Sequence, residues 1–432
     1  MDFKRHSTYL FMLRMMTLVS GAVTSMIVAR TLGPEGKGVI DLVMLLPQFV
    51  SSLGSMGVQA SAIYFAGRGF SHRNLVQTVF GLGLAFSALH ILLVWIFKDE
   101  VAGVMRKGGE HKWVILSVAM IPFYLLWKYS DCLLQGMFRF GAYTSLQMAS
   151  LIFRLVGVIL FLLALGFGLA YGVWIYVLSA LIPAVVSMVL SWVFSKRSEK
   201  KASTKEILKY GFQVHWGNLA QRGNLELDRF IINPLLGTAA VGLYGISVLM
   251  GQLAVQVSGA VSQVLFPKVA KEGKDALDDT CFLSRSSIAI SVAGSAGLAL
   301  VGWYLIRWVF GEEFAPSYKP MLWLLPGIVM SSMGMVLSQY LAGIGKPNLN
   351  SIASVIALLV NIPALLFLIP KYDISGAAIA TTIAYTIQAG IIAFYFARET
   401  SKGPSAFMLA TPADVARFWQ LGMSLLKRRP GK

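Results

Sequence analysis

Charged residues are scarce in this chain of 432 residues, since Asp, Glu, Lys and Arg together make up 13% of it. In soluble globular proteins they approach a quarter. Only 20 residues are acidic, against 37 Lys and Arg, and 56% of the chain is hydrophobic. This composition excludes an ordinary soluble protein and is typical of an integral membrane protein.

Residues for the common catalytic chemistries are missing as well. The five histidines are scattered, without the spacing of a zinc site. No Gly-Lys pair is followed by the Ser or Thr of a phosphate-binding loop, and there is no Gly-x-Ser-x-Gly elbow. Cys132 and Cys281 are the only cysteines and do not indicate a disulfide. We therefore expect no metal, no cofactor and no enzymatic activity.

What the chain does contain is a series of long apolar stretches. A helix needs about 20 mostly apolar residues to cross the hydrocarbon core of a bilayer. The stretches are 9–29, 39–65, 75–97, 113–134, 147–167 and 172–194, then 212–236, 241–266, 286–308, 321–341, 351–369 and 375–397. They predict an all-α integral membrane protein with about twelve transmembrane helices.

A pattern in the first half returns in the second, 204 positions later. The repeated residues are Leu32, Gly33, Gly38 and Gln48 with Leu236, Gly237, Gly242 and Gln252, and also Gln135 with Gln339 and Ser150 with Ser354. Duplicated halves are common in transporters, whose substrate sites lie between the repeats. Because each half has an even number of spans, we expect two parallel six-helix bundles.

The hydrophilic connections predict the domain boundaries and the orientation. We assign 1–194 to an N-terminal bundle, 195–210 to a cytoplasmic linker, 211–398 to a C-terminal bundle and 399–432 to a cytoplasmic tail with an amphipathic helix. If the N-terminus is cytoplasmic, 23 of the 37 basic residues lie on that side and 8 on the other. Positive residues concentrate inside, so both termini are expected in the cytoplasm.

Ionisable residues inside the spans are the candidate site, because they are costly in lipid and usually line a wet interior. The basic candidates for binding an anion are Arg14, Lys128, Arg154 and Arg222. The acidic candidates for ion coupling are Asp131, Glu226 and Asp228. Arginine suits phosphate because its fork offers paired donors, so a lipid-linked pyrophosphate is the expected substrate.

Structural roles remain open for each of these groups. Arg14 and Arg154 have side chains long enough to reach the nearer headgroups. Lys128 and Asp131 have the helical spacing of an ion pair. The alternative for the seventh span is an internal network of Arg222, Glu226 and Arg229.

Two segments resemble known motifs. Residues 29–38 read Ala-Arg-Thr-Leu-Gly-Pro-Glu-Gly-Lys-Gly and resemble the A-R-x-L-G-P-x-G-x-G signature of bacterial polysaccharide flippases. Asp228, Leu236-Gly237, Val241-Gly242 and Tyr244 are similar to a second motif of that family. The resemblance covers about residues 7 to 400 and implies the multidrug, oligosaccharidyl-lipid and polysaccharide exporter superfamily.

The resemblance implies a flippase of the bacterial inner membrane that moves undecaprenyl-pyrophosphate-linked saccharides outward by alternating access. The implied partners are the lipid-linked oligosaccharide, membrane lipids, a polysaccharide polymerase and a chain-length regulator, with no nucleic acid. Two alternatives stay open: a cation-coupled multidrug antiporter of the same superfamily, and a membrane glycosyltransferase or polymerase of the same pathway. Multidrug extruders usually carry an acidic residue in the first span, where this chain has only Arg14.

Overall fold

A computed structural model describes residues 3–96, 111–409 and 414 of the chain, and within them every regular element is a helix. The helices of the first half are α1 (Phe3–Gly54), α2 (Val58–Gly67), α3 (His72–Ile96), α4 (His111–Gly136), α5 (Phe140–Gly157) with a π-helical extension (Val158–Ala164), and α6 (Leu169–Val193). Those of the second half are α7 (Thr204–Leu236), α8 (Thr238–Glu272), α9 (Leu277–Phe310), α10 (Tyr318–Gly343), α11 (Asn348–Thr400) and the short α12 (Ser405–Met408).

Nine helices in the described part are long and apolar enough to cross a bilayer. Two of them, α1 and α11, pass through a sharp kink, at Gly33 and Asp373, and therefore each contain two predicted spans. The polar α7 is not among the nine, although it is 33 residues long. The predicted spans fall on these helices within the described residues, and the all-α membrane fold is confirmed.

Two predicted boundaries need correction. The second span is not one helix: α1 ends at Gly54 and α2 starts at Val58, with left-handed backbone at Met56 (φ 46°) and Gly57 (φ 69°). At the second boundary, α7 already begins at Thr204, inside the predicted linker 195–210. Ser203 and Glu206 form a capping box there, which satisfies free N–H groups of the first turn.

Buried apolar side chains form four clusters that follow the two halves of the chain. Two clusters come mainly or wholly from the first half, around Val28 and Tyr129, and the second of them also takes in Ile207 of α7. Two are built mainly or wholly from the second half, around Tyr244 and Tyr340. Contact between the halves runs along α1 and α8. Cys132 and Cys281 are both free thiols. The predicted tail helix lies outside the described residues, apart from Asp414.

Candidate functional site

A cavity of about 370 Å³ lies between the halves, where α4 faces α7, and we call it the lysine cavity. From α4 it receives Lys128, Asp131 and Gln135, which share the helix face predicted from their spacing. From α7 it receives Asn218 and Arg222. Three of the predicted site residues therefore line one space.

Lys128 and Asp131 do not form the ion pair that their spacing allows. The Lys128 ammonium donates to Ser52 Oγ at 2.7 Å and to the Gln48 carbonyl at 3.4 Å. Asp131 accepts instead from Gln147 Nε2 at 2.5 Å, while its Oδ1 is buried and has no partner in the described part of the chain. Because Lys128 is bonded to neutral oxygens, its positive charge is not compensated by those bonds.

A second cavity, of about 190 Å³, lies between α1, α4, α5, α6 and α7, and we call it the arginine cavity. Its lining includes Asp41, Gln48, Tyr124, Arg154, Tyr176, Glu226 and Arg229. Arg154 donates to Ser179 Oγ at 3.0 Å and lies over the ring of Tyr176, 4.8 Å from its centre. These contacts direct Arg154 into the protein rather than toward headgroups.

The two cavities are joined by an ion pair on α7. Arg222 Nη1 lies 3.2 Å from Glu226 Oε1, with the Arg222 side chain 32% exposed. The other carboxylate oxygen of Glu226 is buried without a hydrogen-bond partner among the described residues, and so is Nε of Arg229. Of the alternative network of Arg222, Glu226 and Arg229, the structure forms the ion pair between the first two.

Positive charge exceeds negative charge around these cavities. The cationic side chains in the two linings are Lys128, Arg154, Arg222 and Arg229, and the carboxylates are Asp41, Asp131 and Glu226. Lys37 and Asp41 form a largely buried pair at 2.5 Å, which the sequence analysis missed although their i, i+4 spacing was visible. Excess charge of one sign in an interior shielded from lipid favours a ligand of the opposite sign.

Asp228 lies apart from Glu226 and points into the second half. Its Oδ2 accepts from the Tyr244 hydroxyl at 2.7 Å, and that hydroxyl is 3.2 Å from Thr381 Oγ1. Successive helical residues are about 100° apart, so positions 226 and 228 lie on nearly opposite faces. The predicted acidic residues therefore occupy three different environments. The side chain of Arg14 lies outside the described residues.

The repeated glycines adopt the same unusual backbone in both halves. Gly33 has φ 66° and ψ −176°, and Gly237 has φ 94° and ψ 172°. These conformations strain residues that carry a Cβ. We call the end of the bundle that holds both glycines the motif end. There Arg30 Nε also donates to the carbonyl of Val309 at 2.8 Å, which ties α1 to the end of α9.

Gly38 and Gly242 bring the halves into backbone contact near the motif end. A Cβ on Gly38 would lie 1.9 Å from the Thr238 carbonyl oxygen, and a Cβ on Gly242 would lie 2.1 Å from that of Pro34. Pro34 and Thr238 are themselves 204 positions apart. The contact is therefore reciprocal, each repeat placing the same glycine against the same position of the other.

A second glycine contact closes the opposite end, which carries the connection 194–203 and which we call the linker end. A Cβ on Gly57 would lie 2.0 Å from the Gly211 carbonyl oxygen, and a Cβ on Gly211 would lie 2.6 Å from that of Met56. Gly57 is part of the break between α1 and α2. The two halves thus meet backbone to backbone on both sides of the lysine and arginine cavities.

A third cavity, of about 280 Å³, lies inside the second half, and we call it the amide cavity. Its polar lining is Gln221, Ser331, Ser338, Gln339, Asn350, Ser354, Tyr385 and Gln388, with no ionisable group except the tyrosine. Gln221 Oε1 accepts from Ser354 Oγ at 3.0 Å and from Gln388 Nε2 at 2.8 Å. In the described part of the chain, no His, Cys, Asp and Glu cluster suits a metal ion.

This helical membrane bundle, with a cationic interior between two halves, has the fold of the exporter superfamily. A solved structure of the lipid II flippase MurJ in an inward closed conformation superposes with a TM-score of 0.72 at 17% identity, over 99% of this chain and 93% of that one. An inward-facing multidrug resistance transporter of the MATE family superposes with a TM-score of 0.70 at 16% sequence identity. That superposition covers 89% of this chain and 94% of the transporter. At these identities the likeness shows the fold.

The sequence comparisons show the family. Residues 27–319 match the polysaccharide biosynthesis protein family, and the chain belongs to it. It is similar to a putative O-antigen transporter of Shigella flexneri, 23% identical over 396 residues, covering 86% of this chain and 92% of the relative. It is also similar to a probable low-salt glycan biosynthesis flippase of Haloferax volcanii, with 24% identity over 383 residues. That match covers 86% of this chain and 79% of the relative. The predicted family is confirmed, and the chain is a multi-pass membrane protein.

Proposed function

We propose that this protein is a flippase that moves undecaprenyl-pyrophosphate-linked saccharides from the cytoplasmic to the outer leaflet of the bacterial inner membrane, for polysaccharide biosynthesis. The single observation that carries the proposal is the excess of cationic side chains in the linings of the lysine and arginine cavities, which lie between the halves. Relatives named as an O-antigen transporter and a glycan biosynthesis flippase support it. Both termini are then cytoplasmic, and the motif end faces outward.

In this mechanism Lys128, Arg154 and Arg222 attract the pyrophosphate, and Arg14 is a further member of the set. Lys128 is suited to it because its present partners are a hydroxyl and a carbonyl oxygen, which an anionic oxygen can replace. Binding then competes with the Arg222–Glu226 pair for the guanidinium. Asp131, Glu226 and Asp228 are the candidates for coupling transport to protons or sodium.

Alternating access follows from the two glycine contacts. The contact at the linker end separates first to admit the headgroup from the cytoplasm, and the contact at the motif end separates to release it outside. The opened end then supplies the lateral path for the lipid tail. A polysaccharide polymerase and a chain-length regulator are the proposed partners that receive the product.

The decisive experiment is flipping of fluorescent undecaprenyl-pyrophosphate saccharide in proteoliposomes, comparing the native protein with Lys128→Ala and Arg222→Ala. A hydrogen bond to a charged group contributes about 1.5–3 kcal/mol, so each variant should lose about tenfold or more in apparent affinity. Lys209→Ala is the matched control, because Lys209 is an exposed lysine at the start of α7. Equal affinity in all four proteins contradicts the proposal.

The multidrug antiporter remains the second candidate because it shares the fold. Its cargo is typically cationic, which the positive interior disfavours. Expression in a drug-sensitive host separates the two functions. Resistance to cationic drugs that survives Lys128→Ala and Arg222→Ala, together with no lipid flipping, identifies the antiporter.

A further inference from the structure

The amide cavity offers hydrogen-bonding groups that the protein itself does not use. Among the described residues, the Gln339 amide and the Tyr385 hydroxyl make no hydrogen bond. Asn350 donates to the Ser338 carbonyl at 2.9 Å, but its Oδ1 is buried without a partner. These groups include donors and acceptors, and none of them carries a charge. Such a surface matches a ligand rich in hydroxyl groups.

Two lining positions of the amide cavity, Met335 and Gln339, are the repeat counterparts of Asp131 and Gln135 in the lysine cavity. Gln135 lines the lysine cavity, and Gln339, 204 positions later, lines the amide cavity. The positions equivalent to Lys128, Asp131 and Arg154 are Ser332, Met335 and Leu358. The charged residues Lys128, Asp131 and Arg154 of the first repeat therefore have uncharged counterparts in the second, while the cations Arg222 and Arg229 come from α7 of the second half.

The two kinds of cavity adjoin across α7. Asn218 lines the lysine cavity and Gln221, one turn later, lines the amide cavity, and both side chains are exposed. Arg222 follows Gln221 directly and belongs to the lysine cavity. A ligand held by Arg222 is thus within one helical turn of the amide cavity.

We propose that the amide cavity binds the neutral sugar residues of the substrate while the lysine and arginine cavities bind its pyrophosphate. This inference rests on the proposed function and assigns different parts of the substrate to different cavities. The volume of about 280 Å³ is near the lower end of small-ligand sites, which span roughly 300–1,000 Å³, so the cavity holds the sugars nearest the pyrophosphate and not a long chain.

The test is a competition read by native mass spectrometry of the purified protein. The probes are undecaprenyl pyrophosphate and the lipid-linked saccharides extracted from membranes of the source cells, offered as one mixture. The mass of each complex identifies the bound lipid, so the ratio of glycan-bearing to bare lipid is an internal measure of sugar recognition. We compare the native protein with Gln339→Leu, Ser331→Leu and Lys128→Ala.

We expect the native protein to prefer the glycan-bearing lipid. Gln339→Leu removes the unused amide and Ser331→Leu fills the cavity, so each should lower the bound ratio by about fivefold per lost neutral hydrogen bond. Retained binding of the bare lipid shows that these variants are folded. Lys128→Ala should weaken binding of the glycan-bearing lipid and of the bare lipid equally, and it should leave the ratio of the two bound lipids unchanged.

An unchanged ratio in both amide-cavity variants overturns the sugar site and leaves the flippase intact, and so does a native protein that binds the two lipids equally. Failure of the native protein to bind either lipid overturns the proposed function instead. A ratio lowered by Lys128→Ala as strongly as by Gln339→Leu contradicts the assignment of the sugars and the pyrophosphate to different cavities.

Discussion

The reciprocal glycine contact near the motif end makes a quantitative prediction. In Gly38→Ala, the new Cβ would lie 1.9 Å from the Thr238 carbonyl oxygen, whereas ordinary contact begins at 3.4 Å. The backbones must separate by about 1.5 Å, because the obstacle is main chain and not a movable side chain. Overpacking of this kind costs about 1–3 kcal/mol. The closed motif end should therefore lose population about 5- to 150-fold relative to the open one.

The assay is a distance measurement between spin labels on the two halves. Phe167→Cys and Lys371→Cys place labels at exposed positions of the motif end, in a background lacking Cys132 and Cys281. Double electron–electron resonance should show one shorter distance in the native protein. In Gly38→Ala, a second and longer distance between the labels should appear, and a larger fraction of the molecules should show it.

Two further variants make the test strict. Gly242→Ala should behave like Gly38→Ala, because its Cβ would lie 2.1 Å from the Pro34 carbonyl oxygen. Gly21→Ala is the control, since nothing lies within 4 Å of its added Cβ. If both contact variants keep the native distances and thermal stability, the backbones absorb the methyl group and the reasoning is refuted.

Three other changes have expected outcomes. Gly57→Ala should weaken the contact at the linker end and raise labelling of a cysteine introduced at Asn218, because its Cβ would lie 2.0 Å from the Gly211 carbonyl oxygen. Hydrogen bonds from Ser203 hold the pKa of Glu206 below its usual value. The stability that ionised Glu206 gives α7 is therefore present above pH of about 4.3 and is lost as the pH falls through the lowered pKa. Hydrogen exchange of the first turn should then approach that of Glu206→Gln. Asp228→Asn should fold and flip lipid but lose its response to an imposed proton or sodium gradient.

Each of these has a matched comparison. Gly67→Ala is the control for Gly57→Ala, since open space surrounds its added Cβ, and equal labelling in both variants contradicts the expected opening. A first turn of α7 that exchanges identically in the native protein and in Glu206→Gln at neutral pH would remove the role of the carboxylate. For Asp228→Asn, an unchanged gradient response transfers the coupling role to Asp131 or Glu226.

Hydropathy was sufficient to predict the helices, because lipid exposure requires long apolar runs. It was not sufficient to predict the break at 55–57, where Ser55, Met56 and Gly57 leave no clear polar signal and the close approach of Gly211 imposes the conformation. The hydrogen-bond partner of Lys128 could not be predicted from the sequence either. Its spacing to Asp131 permitted an ion pair, whereas Ser52 comes from another helix and only tertiary packing brings it near.

The sequence was sufficient to predict that Glu226 and Asp228 lie on opposite faces of α7. Two residues along a helix correspond to a rotation of about 200°. The offset of 204 residues between the repeats gave information about the site as well as about the topology. It indicates which residues of the second half correspond to Lys128 and Arg154, and the loss of charge at those positions is visible without a structure. The cavity volumes and the glycine contacts required coordinates, because they depend on how helices distant in sequence approach each other.

If the protein works by the proposed alternating access, the two glycine contacts also limit the leakage of ions. Gly38 lies sixteen residues before the end of α1 at Gly54, about 24 Å at 1.5 Å per helical residue, and Gly57 follows in the break, so the two contacts are separated by most of the hydrocarbon thickness of about 30 Å. In this conformation both contacts are made at once, one near each face of the membrane. A potential of 100 mV drives each unit charge with about 2.3 kcal/mol, so a passage open at both ends would dissipate the gradient that the cell maintains. Under the proposed mechanism, a state closed at both ends would let the headgroup cross while the membrane stays electrically insulated.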